Sequence, residues 1–150
     1  MAAQISTQAR LEAAASLCAR RGQRFTTQRR AVFELVLLAS GPVTAYELLE
    51  RLRVASPGAT PATVYRALEF LMTARLVQKV ESLSACIPCI DDDHHDHAAQ
   101  FFICAVCGNV AEIEDQAVAR ALAHLASQLG FRVTASMVEV SGTCAACVEN

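Results

Sequence analysis

Hydrophobic residues recur at helical spacing four times in the first half of the chain. The predicted helices cover residues 8–21, the stretch between Thr26-Thr27 and Gly41-Pro42, the stretch from Thr44 to Ser56, and residues 61–74. Threonine hydroxyls precede the last three, where they can accept hydrogen bonds from the unpaired N–H groups of a first helical turn. Pro61 suits the first position of the fourth helix, because its missing N–H has no partner there.

Shorter apolar stretches with β-branched residues predict strands in the rest of the chain. Residues 76–82 and 85–90 indicate a hairpin, and an acidic, histidine-rich segment over residues 91–99 follows. Beyond it the pattern predicts strands over Gln100–Cys104 and Asn109–Glu114, a helix over residues 116–129 and a strand from Phe131 to Ser141.

This order of elements indicates an α+β fold with two units. Three helices followed by a helix and a hairpin are typical of a winged helix, with residues 61–74 in the recognition position. The predicted domains are a winged-helix DNA-binding domain over residues 1–84, a hinge with metal ligands over 85–99 and an α/β dimerisation domain over 100–150. The last domain is too small to be stable on its core alone, so we expect a bound metal or dimerisation to support it.

Charge divides the chain at the same place. Residues 1–84 carry 11 Lys and Arg against 6 Asp and Glu, whereas residues 85–150 carry 2 against 9. A basic unit suits a polyanion, and an acidic unit can attract cations. The 150 residues are 53% hydrophobic and 19% charged, which excludes general disorder. The sequence has no run of about 18 apolar residues and no secretory signal pattern, so we expect a cytoplasmic protein without a membrane span.

Six of the seven cysteines form three Cys-x-x-Cys pairs: Cys86/Cys89, Cys104/Cys107 and Cys144/Cys147. The last two pairs supply the four thiolates that structural zinc prefers. A redox function would instead favour a single pair at a helix N-terminus in a thioredoxin-like pattern. Cys18 stands alone in a helical pattern and is expected to be a small buried hydrophobe.

A second cluster of metal-ligating residues surrounds the hinge. It consists of Cys86, Cys89, His94, His95, His97 and Glu112. Mixed sulfur, imidazole and carboxylate ligands at the junction of two units indicate a metal site that ties them together. The alternative is a solvated hinge with incidental cysteines.

The predicted recognition helix has an exposed face with Thr63, Tyr65, Arg66 and Glu69. A tyrosine beside an arginine in a basic unit favours base reading over an ordinary solvated surface. Arg66 is expected to contact a purine and Tyr65 an adjacent thymine. The residues expected to contact phosphates are Arg24, Arg29, Arg30 and Lys79.

These motifs together resemble the ferric uptake regulator family of bacterial metal-responsive repressors, and most closely its zinc uptake regulator branch. The resemblance rests on RFTTQRRAVFELV, on TVYRALEFL followed by LVQKVES, on the histidine-rich hinge, on FFICAVCGNVAEIE and on the terminal GTCAACVE. It implies a homodimer that binds an AT-rich inverted repeat of double-stranded DNA when zinc is replete and represses zinc-import genes. It also implies two zinc ions per chain, one structural and one regulatory.

The resemblance assigns the ligands one at a time. Cys104, Cys107, Cys144 and Cys147 match the structural zinc site. Cys89, His97 and Glu112 match three ligands of the regulatory site, but Gln78 stands where the branch has a histidine. A neutral amide is a poor zinc ligand, so Cys86, or else His95, is expected to supply the fourth contact.

Three other functions compete with zinc-dependent regulation. An iron or peroxide sensor of the same family would use harder ligands, which the HHDH segment faintly suggests. A zinc enzyme would need an open coordination position together with a catalytic base. A metal chaperone would have no need for Tyr65 and Arg66 on an exposed helix.

Overall fold

Hydroxyl side chains start the helices of the first unit. The computed structural model describes residues 6–89 and 99–149. The first four helices are α1 Thr7–Arg20, α2 Thr27–Leu38, α3 Ala45–Ala55 and α4 Pro61–Thr73. Thr26, Thr44 and Thr60 cap α2, α3 and α4 by accepting a backbone N–H of the first turn, as predicted. Gly22, with a φ of +65°, follows the end of α1.

A small antiparallel sheet completes this unit. Its strands are β1 Val43–Thr44, β2 Val77–Val80 and β3 Ala85–Pro88, in the order β1-β3-β2. A 3₁₀ turn over Glu81–Leu83 joins β2 to β3, and Ser84 closes it with a left-handed φ of +48°. The predicted hairpin is therefore present, and β3 belongs to the first unit, although the predicted hinge begins at residue 85.

The core of the first unit lies between the helices and this sheet. The buried stripes of α1, α2, α3 and α4 meet there, with Leu11, Phe33, Leu48, Val64 and Leu71 at most 2% exposed. Cys18 is fully buried in the same cluster, which confirms that it packs as a small hydrophobe. The inner face of α4 is thereby fixed, and its opposite face is left for solvent.

The second unit is built on a different sheet. Its elements are β4 Ala99–Cys104, β5 Val110–Ile113, α5 Gln116–Gln128, β6 Met137–Gly142 and α6 Ala145–Val148. The order is β5-β4-β6, with β4 antiparallel to β5 and parallel to β6. The strand predicted from Phe131 begins only at Met137, because that residue faces Ala99, the first residue of β4.

The chain divides into units over residues 1–92 and 93–150. In the described residues of the second unit, the buried hydrophobic side chains are Phe101, Ile103, Cys104 and Ala126. Helix α5 leaves Leu125 and Leu129 54% and 81% exposed, although the apolar pattern predicts that they are covered. Within the described ranges, no helix is long and apolar enough to cross a membrane.

Candidate metal centre and nucleic-acid interface

The parallel pairing of β4 and β6 brings two cysteine turns to one edge of the second sheet. Cys104 ends β4 opposite Gly142 at the end of β6, and the Ala105 N–H donates to the Gly142 carbonyl at 2.8 Å. Gly108, with a φ of +70°, closes the first turn by donating to the Cys104 carbonyl at 3.0 Å. Two residues after β6, Cys144 precedes the first turn of α6, which carries Cys147.

The four sulfur atoms of these turns have the spacing of a tetrahedral site. The Sγ atoms of Cys104, Cys107, Cys144 and Cys147 all lie within 4.8 Å of one another. The Sγ atoms of Cys107 and Cys144 are 3.8 Å apart. Zinc–sulfur bonds of about 2.3 Å in a tetrahedron give sulfur–sulfur edges of about 3.8 Å, so the donor set fits zinc. Among the described residues, these four cysteines form the cluster of candidate ligands whose atoms lie close enough together to share one metal ion.

Backbone N–H groups favour the thiolate form of Cys104 in this cluster. They point at the Cys104 sulfur from Cys107, Cys144 and Val106 and lower the pKa of Cys104 to about 6. The Cys144 N–H donates to this sulfur at 3.4 Å. In contrast, thiol hydrogen bonds with Cys144 and Cys107 raise the pKa of Cys147 to about 12. Four thiolates this close repel one another, and a divalent cation is what allows all of them to ionise together.

The described residues show part of the second predicted site. Cys89 follows β3, its N–H donates to the Leu76 carbonyl at 3.0 Å, and its carbonyl accepts a hydrogen bond from Arg10 of α1. Glu112 lies on β5 and is half-buried. The histidines His94, His95 and His97 lie outside the described residues. The Arg10 contact has no local sequence signal, because its partner is 79 positions away.

Cys86 occupies a different environment from Cys89. Its side chain is 5% exposed and belongs to the hydrophobic core of the first unit, and burial raises the pKa of its thiol. Residues an odd number of positions apart point to opposite faces of an extended strand. Cys86 pairs with Lys79 and its neighbour Ile87 pairs with Gln78, so the side chains of Cys86 and Gln78 point to opposite faces of the sheet. Together with its burial, this geometry disfavours Cys86, the sequence-based choice, as the replacement for a ligand at position 78.

Helix α4 presents the predicted reading face. Its back is buried through Val64, Leu68 and Leu71, while Tyr65 is 62% exposed and Arg66 is exposed beside it. Pro61 stands at the first helical position, so both side chains lie within the first two turns. The N-terminal part of a recognition helix is where side chains meet base edges.

Thr63 serves the helix itself. Its hydroxyl accepts the Thr60 N–H at 3.2 Å, and the two hydroxyl oxygens are 3.1 Å apart in a reciprocal cap. Thr63 was predicted to share the exposed reading face with Tyr65. The hydroxyl is already engaged within the cap, so its main role here is to fix the start of the helix.

Two of the arginines predicted to contact phosphates already interact with other residues of the first unit. The Arg29 guanidinium lies 3.7 Å from the centre of the Phe70 ring and donates to the Arg24 carbonyl. Arg30 donates to the Gln8 side chain at 3.4 Å. Arg29 therefore joins α2 to α4 and is a weaker candidate for phosphate than Arg24, whose own side chain is exposed.

Lys79 forms an ion pair that was not predicted from the sequence. Its ammonium lies 2.7 Å from the carboxylate of Glu81, which raises the pKa of Lys79, with smaller effects from Cys86 and Tyr65. In the sequence, this ion pair is indicated only by the position of Lys79 two residues before Glu81 at a predicted turn. The pair lies at the tip of the hairpin that a winged helix would bring to DNA.

Comparisons with known proteins agree with this geometry. The family model for the ferric uptake regulator family matches residues 20–141. The zinc uptake regulation protein of Escherichia coli (strain K12) is 42% identical over 144 residues, which make up 96% of this chain and 84% of that protein. The ferric uptake regulation protein of Campylobacter jejuni is 29% identical over 130 residues, 84% of this chain and 80% of that protein. A solved structure of a zinc uptake regulator complexed with zinc and DNA matches with a TM-score of 0.93 and 42% identity, covering 97% of each chain.

Proposed function

Because the chain belongs to the ferric uptake regulator family, we propose that it is a zinc-responsive, DNA-binding transcriptional regulator in the cytoplasm. It represses zinc-uptake genes when zinc is bound. The observation that carries this proposal is the 42% identity to the zinc uptake regulation protein of Escherichia coli across 96% of the chain. The family consists of regulators, so the chain is not an enzyme.

An iron or peroxide sensor of the same family is the second candidate. The ferric uptake regulation protein of Campylobacter jejuni and the peroxide operon regulator of Bacillus subtilis are 29% and 27% identical to this chain. Both identities are well below 42%, and cysteine ligands favour zinc over harder ions. Zinc is therefore the metal we assign.

We propose two zinc ions per chain, one structural and one regulatory. The ligands of the structural ion are Cys104, Cys107, Cys144 and Cys147, whose sulfur atoms lie within 4.8 Å of one another. Cys89, His97 and Glu112 supply three ligands of the regulatory ion, with His95 as the fourth. When bound, that ion favours one conformation of the chain around residues 85–99 and so couples zinc to DNA binding.

A homodimer accounts for the exposed apolar surface of the second unit. The strongly exposed side chains there include Phe102, Leu125, Leu129, Phe131 and Met137, each at least 45% exposed. Soluble monomers rarely leave so many apolar side chains uncovered in one small unit. A two-fold dimer would present two copies of α4, which suits an AT-rich inverted repeat of double-stranded DNA.

Zinc-dependent DNA binding is the experiment that tests this function. We expect the zinc-loaded protein to retard an AT-rich inverted-repeat duplex at least about fivefold more strongly than the zinc-chelated protein, since allosteric coupling runs at roughly 1–3 kcal/mol. Cys89→Ser and His97→Ala should abolish this difference and still give a folded dimer holding one zinc per chain.

His124→Ala provides a matched control, because His124 is an exposed histidine on α5. It should respond to zinc like the unchanged protein. A metal chaperone would show no zinc-dependent retardation, and an iron sensor would respond to ferrous iron at lower concentration than to zinc. Either result would contradict the proposal.

The fourth regulatory ligand can be assigned by a pair of variants. We expect His95→Ala to weaken regulatory zinc binding at least about tenfold, since even outer-shell changes cost about 10–100-fold. Cys86→Ala should leave the zinc response intact and lower the unfolding temperature, because Cys86 packs in the core. Competition with a chromophoric chelator measures both affinities. The reverse pattern would restore Cys86 as the ligand.

A further inference from the structure

An acidic side chain stands beside a proposed DNA contact at the tip of the hairpin. The Lys79 ammonium and the Glu81 carboxylate are 2.7 Å apart, and their side chains are 41% and 59% exposed. Lys79 lies near the end of β2, and Glu81 begins the 3₁₀ turn that follows. The pair is thus at the surface, where a phosphate could compete for the ammonium.

The backbone on both sides holds these two charges close together. Lys79 faces Cys86 in the register of β2 and β3, so its position in the sheet is set. The Ser84 N–H donates to the Glu81 carbonyl at 3.1 Å and closes the turn. Because both backbone segments are fixed, the carboxylate remains within reach of Lys79 whenever the hairpin is folded.

We propose that Glu81 limits the affinity of this protein for DNA by holding the Lys79 ammonium and placing a negative charge against any phosphate that approaches it. This proposal rests on the proposed function. A phosphate contact by Lys79 has to break the ion pair and then lie next to the carboxylate. Such an exposed pair changes an equilibrium by a factor of up to about five.

A limit of this kind matters in a metal-controlled repressor. Metal binding changes DNA affinity by only about 5–150-fold in typical allosteric proteins. Attraction to phosphates acts in every sequence and in both metal states, so each additional free cation raises the background binding of the metal-free form. Glu81 keeps that background low while leaving Arg66 and Tyr65 to read the operator.

A double-mutant cycle on Lys79 and Glu81 tests the proposal. Glu81→Gln, Lys79→Gln and the double variant are titrated, with and without zinc, onto an AT-rich inverted-repeat duplex and onto an unrelated duplex of equal length. We expect Glu81→Gln to bind both duplexes about two- to fivefold more tightly in both metal states. Its dependence on log salt should be steeper by about 0.9, because one more phosphate is neutralised.

The other members of the cycle separate the ion pair from a general charge effect. Lys79→Gln alone leaves the Glu81 carboxylate without its partner and should weaken binding about two- to fivefold, and in the Glu81→Gln background the same change should remove the whole gain. Glu81→Asp keeps the charge and should bind like the unchanged protein. Glu34→Gln removes the same charge from an exposed position on α2 and should leave both the affinity and the salt dependence unaltered.

Two outcomes overturn the proposal. One is Glu81→Gln binding DNA no more tightly than the unchanged protein; the other is a gain that persists in the double variant. If the unchanged protein binds the inverted repeat with zinc but Glu81→Gln adds nothing, the proposed function stands and this inference falls. If the unchanged protein binds neither duplex, both fall.

Discussion

Replacing Cys104 with serine should unfold the second unit and dissociate the dimer. The apparent binding energy of structural zinc is about 10–16 kcal/mol at neutral pH, whereas small domains unfold with about 5–15 kcal/mol. Cys104 is also the sulfur that three backbone N–H groups prepare for ionisation. We therefore expect Cys104→Ser to lose its structural zinc, the thermal unfolding transition of its second unit and its dimerisation, in addition to DNA binding.

Zinc content, circular dichroism melting and sedimentation on one sample would measure this effect. Val106→Ser is the matched control, because Val106 is 69% exposed in the same turn and contributes no ligand side chain. It should keep its zinc and its dimeric state. A Cys104→Ser protein that lacks this zinc yet stays folded and dimeric would refute the structural role of the site.

Local signals in the sequence were enough to predict most helices. The hydroxyl caps at Thr26, Thr44 and Thr60 lie where the pattern places them, because a cap depends on residues only three positions away. The four-cysteine cluster was equally accessible. Each Cys-x-x-Cys turn is local, and a strand–helix–strand segment between the turns brings the ends of β4 and β6 together.

Partners far apart in the sequence could not be predicted in this way. Arg29 stacks on Phe70, 41 residues further along the chain, so its sequence neighbours give no indication that it is engaged. Cys86 is buried partly because it pairs with Val43 in β1, a strand of two residues that is too short to leave a periodic pattern. One member of a cysteine pair that is regular in sequence therefore lies in the hydrophobic core of the first unit.

The apolar face of α5 shows a third kind of limit. Its helical stripe correctly predicts a helix, and the helix leaves Leu125 and Leu129 exposed. A hydrophobic pattern states that a surface needs covering and does not state which chain covers it. In this protein we assign the covering surface to a second copy of the chain.

Replacing Arg66 with alanine should weaken operator binding by about 1–3 kcal/mol and relax the preference at one base pair in each half-site. Arg66 is exposed on α4 directly after Tyr65, and the buried side chains Val64 and Leu68 fix the rotation of the helix. Its guanidinium can donate two hydrogen bonds to the O6 and N7 atoms of guanine, which no other base offers.

Arg24→Ala is the contrasting variant, since the exposed Arg24 precedes the first turn of α2 and is assigned to a phosphate. It should weaken binding to all duplexes about equally and reduce the salt dependence by about 0.9. Titrations against a set of operators with single base-pair changes, repeated at several salt concentrations, separate the two roles. If Arg66→Ala lost affinity equally on every duplex and kept its operator preference, Arg66 would be a phosphate contact, and base reading would have to come from Tyr65 or from the hairpin.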